Sequence, residues 1–475
     1  MSTRRALVAS LILLSLLLTA AAPAPSPAEG VRQALTWLRA QQQQDGGFSN
    51  GFSAGSDLGT TADAVLAISA GGQDPSTWSP AGASPLEFLA NAVQAGNVTN
   101  PGAAAKTALA MLAAGKDPHA VAGLDLANPI LEGFDAGTGF FGMGPFDSSL
   151  AILALTGMYT PLPEGALAGL LAARLPEGTY AFNGDLTAGA GDSNTTALAV
   201  QALLAAGRVD EAAVSIDYFR AAQNEDDGWT YQKPSAFGEA TDANSTALVL
   251  QALLASGQRP IDWGDPLAAL SALQVPSGAF IFNAATSSEN LLATVQALPA
   301  LAGWDYLDLI DPAHATVPTV TGSVVVEGGT CCVAAQAGSP VSIRSEFQAD
   351  SPFGSVTQMR VVEKVAGACA SEAELTSADW APLQLESTFT FAAPLNWIGY
   401  AITVQFRDDH GYSSETYCDE VSVEGGPANG ALSEPTSLPP AAAQPAPVQP
   451  GIAWVAGGLL LGLLLVAALV AARRR

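Results

Sequence analysis

A helical stretch ending in a small residue and a glycine recurs six times in this chain. That repetition limits the fold more than any other feature. The endings are Ala70-Gly71, Ala114-Gly115, Thr156-Gly157, Ala206-Gly207, Ser256-Gly257 and Ala302-Gly303, at steps of 44, 42, 50, 50 and 46 residues. Glycine just past a helix is the expected left-handed stop. A glycine–aromatic turn precedes five of the helices: Gly47-Phe48, Gly139-Phe140, Gly178-Thr179-Tyr180, Gly228-Trp229 and Gly278-Ala279-Phe280. The second unit has Asn97-Val98-Thr99-Asn100-Pro101-Gly102 in that place. Amphipathic stretches stand ahead of the turns, for example over 31–42, 85–94, 165–174 and 210–223. Each unit reads helix, loop, helix.

The second helix of each unit is nearly free of charge, as over 197–204 and 247–254. A helix apolar all round is buried on all sides. The first helices carry charge on one face. Six buried inner helices inside six amphipathic outer ones predict a closed ring over 30–316, with an open solenoid as the competing geometry.

Trp37-Leu38-Arg39-Ala40-Gln41-Gln42 followed by Asp45-Gly46-Gly47-Phe48 resembles the Gln-Trp repeat of squalene and terpenoid cyclases and protein prenyltransferases. Tyr218-Phe219-Arg220-Ala221-Ala222-Gln223 followed by Asp227-Gly228-Trp229 resembles it too, and Leu273-Gln274 through Phe280 is a weaker copy. The resemblance implies an (α/α)6 toroid. The chemistry of the family is not carried over with it. The toroid region has no cysteine and only His119 and the border residue His314, so the prenyltransferase zinc site cannot be built. The nearest approach to the cyclase Asp-x-Asp-Asp acid is Thr241-Asp242-Ala243-Asn244, with one carboxylate. The Gly-Cys-Gly-Glu-Gln of ring-shaped thioester proteins is absent as well.

Polar residues cluster where the inner helices begin: Asp57/Thr60/Thr61, Asp147/Ser148/Ser149, Asp192/Asn194/Thr195, Asp242/Asn244/Ser245 and Ser288/Glu289/Asn290. Such residues cap helices. In a ring whose inner helices all point one way, they would also line one mouth, as a polar ligand rim. Asp63 and Lys106 lie inside apolar helices of neighbouring units, where a charge is costly unless paired. They pair with each other or face a wet cavity. Trp229, Tyr231, Phe48, Phe52, Phe140 and Phe141 either pack the turns or stack on a ligand. Asp45-Gly46-Gly47 and Asp226-Asp227-Gly228 lack the full oxygen set of a calcium loop, so no metal is expected, and no cofactor is evident.

From 318 to 425 the apolar period shortens to two, as in Ser323-Val324-Val325-Val326-Glu327 and Thr388-Phe389-Thr390-Phe391, which predicts a β-sandwich. Thr403-Val404-Gln405-Phe406-Arg407-Asp408-Asp409-His410-Gly411-Tyr412 within it resembles Ig- or fibronectin-like modules. All four cysteines are here: Cys331, Cys332, Cys369 and Cys418. Two disulfides are expected, with Cys331 and Cys332 each reaching one of the distant two.

The ends complete the reading. Residues 1–28, with Arg4-Arg5, an apolar run and small residues, read as a signal peptide. Residues 426–450 read as a Pro/Ala-rich linker, 452–472 as a transmembrane helix and 473–475 as a cytoplasmic Arg tail. The expected class is thus an all-α (α/α)6 toroid, an all-β Ig-like sandwich and a single C-terminal transmembrane helix. The expected place is the cell membrane, single-pass, with the ectodomain outside. The net charge of −26 argues against nucleic acid as a partner. The expected function is that of a bacterial surface protein whose toroid binds a small molecule or glycan without catalysis. Its layout is similar to that of cobalamin carriers. The alternative is an extracytoplasmic terpenoid-cyclase-like or carbohydrate-active enzyme, with Asp63, Asp147, Asp192 and Asp242 as candidate carboxylates.

Overall fold

The computed structural model describes residues 26–51, 55–79, 82–236, 238–310, 320–336, 338–365, 368–393 and 398–425. The helical region contains α1 (Pro27–Gln41), α2 (Leu58–Ala70), α3 (Pro85–Gln94), α4 (Pro101–Ala113), α5 (Ala127–Glu132), α6 (Pro145–Gly157) and α7 (Ala166–Ala172). It continues with α8 (Ser193–Ala205), α9 (Val209–Ala213), α10 (Ile216–Ala222), α11 (Ala243–Ala255), α12 (Pro266–Ser271), α13 (Leu291–Leu301) and the short α14 (Leu307–Ile310).

The charge-poor helices α2, α4, α6, α8, α11 and α13 are the inner ones. Each packs on the next, and α13 packs back on α2, so the ring is closed. The repeat motif shows how closure is held from outside. The Gln42 amide donates to Gly46 O at 3.0 Å and Trp78 O at 2.9 Å. Gln223 donates to Asp227 O and Trp263 O at 2.9 and 2.7 Å. Gln274 donates to Gly278 O at 2.9 Å and, across the seam, to Gly30 O at 2.8 Å. Each glutamine therefore ties its own turn to the entry of the next unit, and the last unit's next is the first. Arg39 and Arg220 cover Trp78 and Trp263, 4.6 and 3.7 Å from the ring centroids.

The strand region contains β1 (Thr321–Val326), β2 (Cys332–Ala335), β3 (Pro340–Asp350), β4 (Val356–Val365), β5 (Ala381–Pro382), β6 (Glu386–Ala392), β7 (Ile398–Asp408) and β8 (Tyr417–Gly425). The sheets run β6-β3-β1 and β2-β8-β7-β4-β5, with β2 parallel to β8. Alternate residues of β3 and β7, including Ile343, Phe347, Ile402, Val404 and Phe406, meet in one core between the sheets.

This region seats on the ring. Arg259 donates to Asp350 Oδ1 and Ser351 O at 3.0 and 2.8 Å. Phe353 is buried in the ring's own core and lies 4.4 Å from Tyr412, which touches both cores.

Three expectations are corrected. The described residues mix helix and strand, and among them no helix is long and apolar enough to cross a membrane. The longest, α1, has 15 residues, about 22 Å at 1.5 Å per residue, short of a bilayer core of ~30 Å. The class with a transmembrane helix, and the single-pass membrane placement built on it, therefore have no helix among the described residues to rest on. The segments 1–25 and 426–475, with the expected signal peptide, linker and 452–472 span, lie outside the described residues. The third correction is the disulfide pairing, which is Cys331–Cys332 and Cys369–Cys418. Cys332 stands opposite Ser422 on β8. That is four residues, about 13 Å, from Cys418, beyond the Cα reach of a disulfide. Cys369 is within it, at 5.9 Å between Cα atoms.

Candidate functional site

The inner helices all start at one rim, and most of the predicted rim residues are engaged there in holding the ring. Asp57, Asp192 and Asp242 cap α2, α8 and α11, accepting from Thr60 N, Thr195 N and Ser245 N at 2.8, 2.7 and 2.8 Å. Asn290 caps α13 in the same way. The hydroxyl at the fourth helical position of five inner helices accepts the aromatic turn's N–H. The pairs are Phe48–Thr61, Phe141–Ser148, Tyr180–Thr196, Trp229–Thr246 and Phe280–Thr294, at 2.8–3.0 Å. The unit without the turn has Ala104 there.

The first N–H groups of three helices bond to the following unit's loop: Phe146 N to Phe182 O, Ser193 N to Tyr231 O and Ala243 N to Phe282 O. Trp229 is fully buried and donates to Phe219 O at 2.7 Å. Glu289 is exposed and accepts from Trp37 at 3.0 Å, joining last unit to first. Phe52 lies outside the described residues.

Below this rim lies a second set of polar groups, on one face of the inner helices. Residues four and three apart share a face, so helix positions 2, 6 and 9 form a stripe. The turn-binding hydroxyl at position 4 sets the register for α2, α6, α8, α11 and α13, and Ala104 sets it for α4. The stripe reads Gly59, Asp63, Leu66 on α2 and Gly102, Lys106, Leu109 on α4. It reads Phe146, Leu150, Leu153 on α6 and Asn194, Leu198, Gln201 on α8. On α11 it is Asn244, Leu248, Gln251 and on α13 Leu292, Gln296, Pro299. Three contacts join members of this stripe to one another or to the segment that follows the ring. Lys106 Nζ lies 3.0 Å from both Asp63 oxygens. The Asn244 amide donates to Gln296 Oε1. Gln201 Oε1 accepts from Tyr306 N at 2.9 Å, from a segment that is part of no ring helix.

The bore is thus unequal around its circumference. The α6 wall is apolar, and α8, α11 and α13 present amides. The α2–α4 wall holds an ion pair, with Gly59 and Gly102 one turn above it towards the rim. A Cβ on Gly59 would lie 3.8 Å from Lys106 Nζ, and one on Gly102 would lie 2.3 Å from Asp147 Oδ1.

Asp63 and Lys106 are each 2 % exposed. Burial pushes the Asp63 carboxyl up to about 7, against the pull of Lys106. Asp147 is also raised by burial, with Met143 N (2.9 Å) and the Lys106 charge pulling back. Burial raises Asp192 to about 7 and Asp242 to about 6, opposed by helix N–H donors. The Tyr231 hydroxyl lies against Asp192 and is raised by burial and by that charge. Several buried polar atoms have no partner among the described residues: Asn194 Oδ1, Gln251 Oε1, Gln296 Nε2 and the Tyr306 hydroxyl. A buried polar atom without a partner is uncommon in a folded protein and calls for an explanation.

The predicted set therefore divides. Asp63, Lys106 and Asp147 come together at the bore wall. Asp57 stands above them at the rim, and Asp192 and Tyr231 meet at the start of α8. Asp242 is a cap, and Trp229 and Glu289 are framework. The sequence reading missed Gln201, Gln251, Gln296 and Tyr306. Lone amides in apolar helices, at the same register in Gln201 and Gln251 and one turn earlier in Gln296, were the available signal for the three glutamines. Nothing local marks Tyr306.

No family profile and no curated protein matches the sequence. Among solved structures, the type II terpene cyclase MstE from Scytonema aligns at 12% identity and TM-score 0.44, over 58% of this chain and 97% of that one. The unsaturated glucuronyl hydrolase from Bacillus sp. GL1 aligns at 13% and 0.42, over 58% and 95%. Haptocorrin in complex with Cbi aligns at 13% and 0.41, over 69% and 78%. These likenesses are distant, and the ring stands on its own packing.

Proposed function

We propose that the ring is a receptor for a small molecule that enters at the rim of inner-helix N-termini and is held in the bore. The observation that carries this reading is the set of partnerless buried amide atoms on the inner-helix stripe, at Asn194, Gln251 and Gln296, together with the partnerless Tyr306 hydroxyl. Such atoms cost about 1–3 kcal/mol each when left dry, and a ligand that completes them recovers that cost. The chemistry of the lining selects the ligand. Amides donate to and accept from neutral groups, the ion pair is already self-neutralised, and Asp57 at the entrance disfavours anions. An apolar wall faces them. A molecule with one apolar face and an edge of hydroxyl or carbonyl groups, such as a sugar ring at the end of a glycan, has the matching distribution.

Native mass spectrometry of the full chain from its own source, compared with the denatured mass, tests the reading. A discrete extra mass lost on denaturation supports it. It fails if the purified chain is bare and calorimetry against neutral oligosaccharides gives no heat in wild type.

A second reading has its own observation. Asp63 and Asp147 flank Lys106, and a carboxyl raised to about 7 is suited to giving up a proton near neutral pH. Product analysis on the same oligosaccharides separates the two. Turnover that disappears in Asp63→Asn, with binding kept, would make the protein an enzyme.

A further inference from the structure

We propose that residues 302–308 are a stopper in the far end of the ring, that Tyr306 is the floor limiting how deep a ligand enters, and that the strand region holds this stopper in place. The floor role rests on the ligand-binding reading of the bore; the stopper and its clamp do not.

The path of the chain is the first argument. After α13 ends at Leu301, the chain does not turn outward. The following α14 packs against α4, α6 and α8. In the order of the ring, α6 is directly opposite α13, so the segment crosses the bore at the inner helices' C-terminal end. It also dips inward. Tyr306 is 1 % exposed, and its N–H donates to Gln201 Oε1, the ninth residue of α8. At 1.5 Å per residue that is about 13 Å below the rim. Burial and, after it, the Asp63 charge hold the Tyr306 hydroxyl above its ordinary pKa, and it has no partner among the described residues. For filling space alone, phenylalanine would serve without stranding a buried hydroxyl. A ligand resting on this floor would complete it.

The second argument is how the stopper is anchored. The Tyr412 hydroxyl donates to Leu301 O at its base. Gly303, at φ +77°, lies under Phe353, and a Cβ there would come within 3.0 Å of that ring. Trp304 N donates to Pro299 O at 3.0 Å, and Asp305 Oδ1 accepts from Leu307 N at 2.7 Å. Tyr412 and Phe353 both belong to the strand region, so the domain outside the ring grips the segment that closes it. A bore shut at one end is a pocket, and one open at both ends is a channel.

Hydrogen exchange on the full chain tests the clamp without any ligand. In wild type, amides of 303–308 are expected to exchange at least tenfold more slowly than those of the rim loop 185–190. Tyr412→Phe is expected to speed exchange at 303–308 by about tenfold while leaving α6 and α8 unchanged. Equal exchange in the two segments, or no response to Tyr412→Phe, overturns the proposal.

The floor is tested with n-alkyl β-glucosides of six to twelve carbons. Affinity in wild type is expected to level off along the series and to keep rising in Tyr306→Ala. Tyr306→Phe keeps the wild-type plateau and so reports on folding. If wild type binds and Tyr306→Ala shows the same plateau, Tyr306 is not the floor. If no variant binds any glucoside but exchange behaves as expected, the floor role fails and the stopper stands.

Discussion

Lys106 shows most directly what a single residue does here. It sits in a helix of alanines and leucines, is 2 % exposed, and lies 3.0 Å from Asp63 on the neighbouring helix. Removing one member of a buried pair strands the other. Lys106→Met should therefore cost about 3–5 kcal/mol in denaturant unfolding, and Lys106→Met with Asp63→Leu should recover much of it. A double variant no better than the single one would show that the pair is not the unit. The buried carboxyls also set a pH dependence. Asp63 and Asp192 are raised to about 7 and Asp242 to about 6. In the unfolded chain they titrate near 3.9. Between those values the folded state holds more protons, so stability is full below about pH 4 and falls as pH rises to about 7. The melting temperature should be higher at pH 5 than at pH 8. Asp192→Asn, which keeps an acceptor for Thr195 N, should flatten that slope. A slope that Asp192→Asn leaves unchanged would take Asp192 out of the groups that set it.

At the scale of elements, a hydroxyl in five units and a glutamine amide in three join turn to helix and unit to unit. Thr246 accepts the Trp229 N–H at 3.0 Å in a fully buried place. Thr246→Val should cost about 1–3 kcal/mol by leaving that donor unpaired, and Thr246→Ser much less. Equal losses for the two would point to packing instead. Gln274 joins its turn to Gly30 across the seam. Gln274→Ala should destabilise as much as Gln223→Ala, which breaks the same pair of bonds inside the ring. A neutral Gln274→Ala would mean that the seam is held by the helices α13 and α2 alone.

For the whole molecule, the contact between ring and strand region carries a titratable clamp. His410 Nε2 lies 3.0 Å from Asp265 of the ring, and Nδ1 lies 3.1 Å from Asp409, with Asp408 beside them. The protonated imidazole is the form that the surrounding carboxylates favour. Burial lowers the His410 pKa, but the three carboxylates outweigh it and hold it above 6.5. Its contribution is full below 6.5 and is lost as pH rises through the raised value. Exchange at 259–265 should quicken from pH 6 to pH 8 beyond the intrinsic base-catalysed rate. His410→Phe should abolish the extra component. If that component survives the substitution, another group titrates. Within the strand region, peptide mapping under non-reducing conditions should find Cys331–Cys332 and Cys369–Cys418. Replacing the second pair by serine should cost about 4 kcal/mol, from the loop of separation 49 that it closes.

The ring was legible in the chain because its cause is periodic. Six apolar helices at near-equal spacing cannot bury themselves except against each other, and the Gln-Trp repeats already contain the side chains that tie unit to unit. The caps were legible for the same reason, since Asp57, Asp192 and Asp242 act on backbone only three residues away. The pairing of Asp63 with Lys106 was half legible. Each needed a partner, but whether that was the other or water depends on which helix faces lean together. The cysteine pairing was read wrongly because strand register sets distance, and Cys332 falls opposite Ser422 through a parallel pairing that no local pattern announces. The bore was the least visible. Gln201, Gln251 and Gln296 are single polar letters in apolar helices, and Tyr306 is one aromatic in a connecting segment. Their meeting depends on a chain that crosses the ring to the opposite helices. Local pattern determines which faces must be buried. Only tertiary structure decides which buried groups face one another, because that depends on long-range closure, and here closure brings together residues more than a hundred positions apart, as in Gln201 and Tyr306.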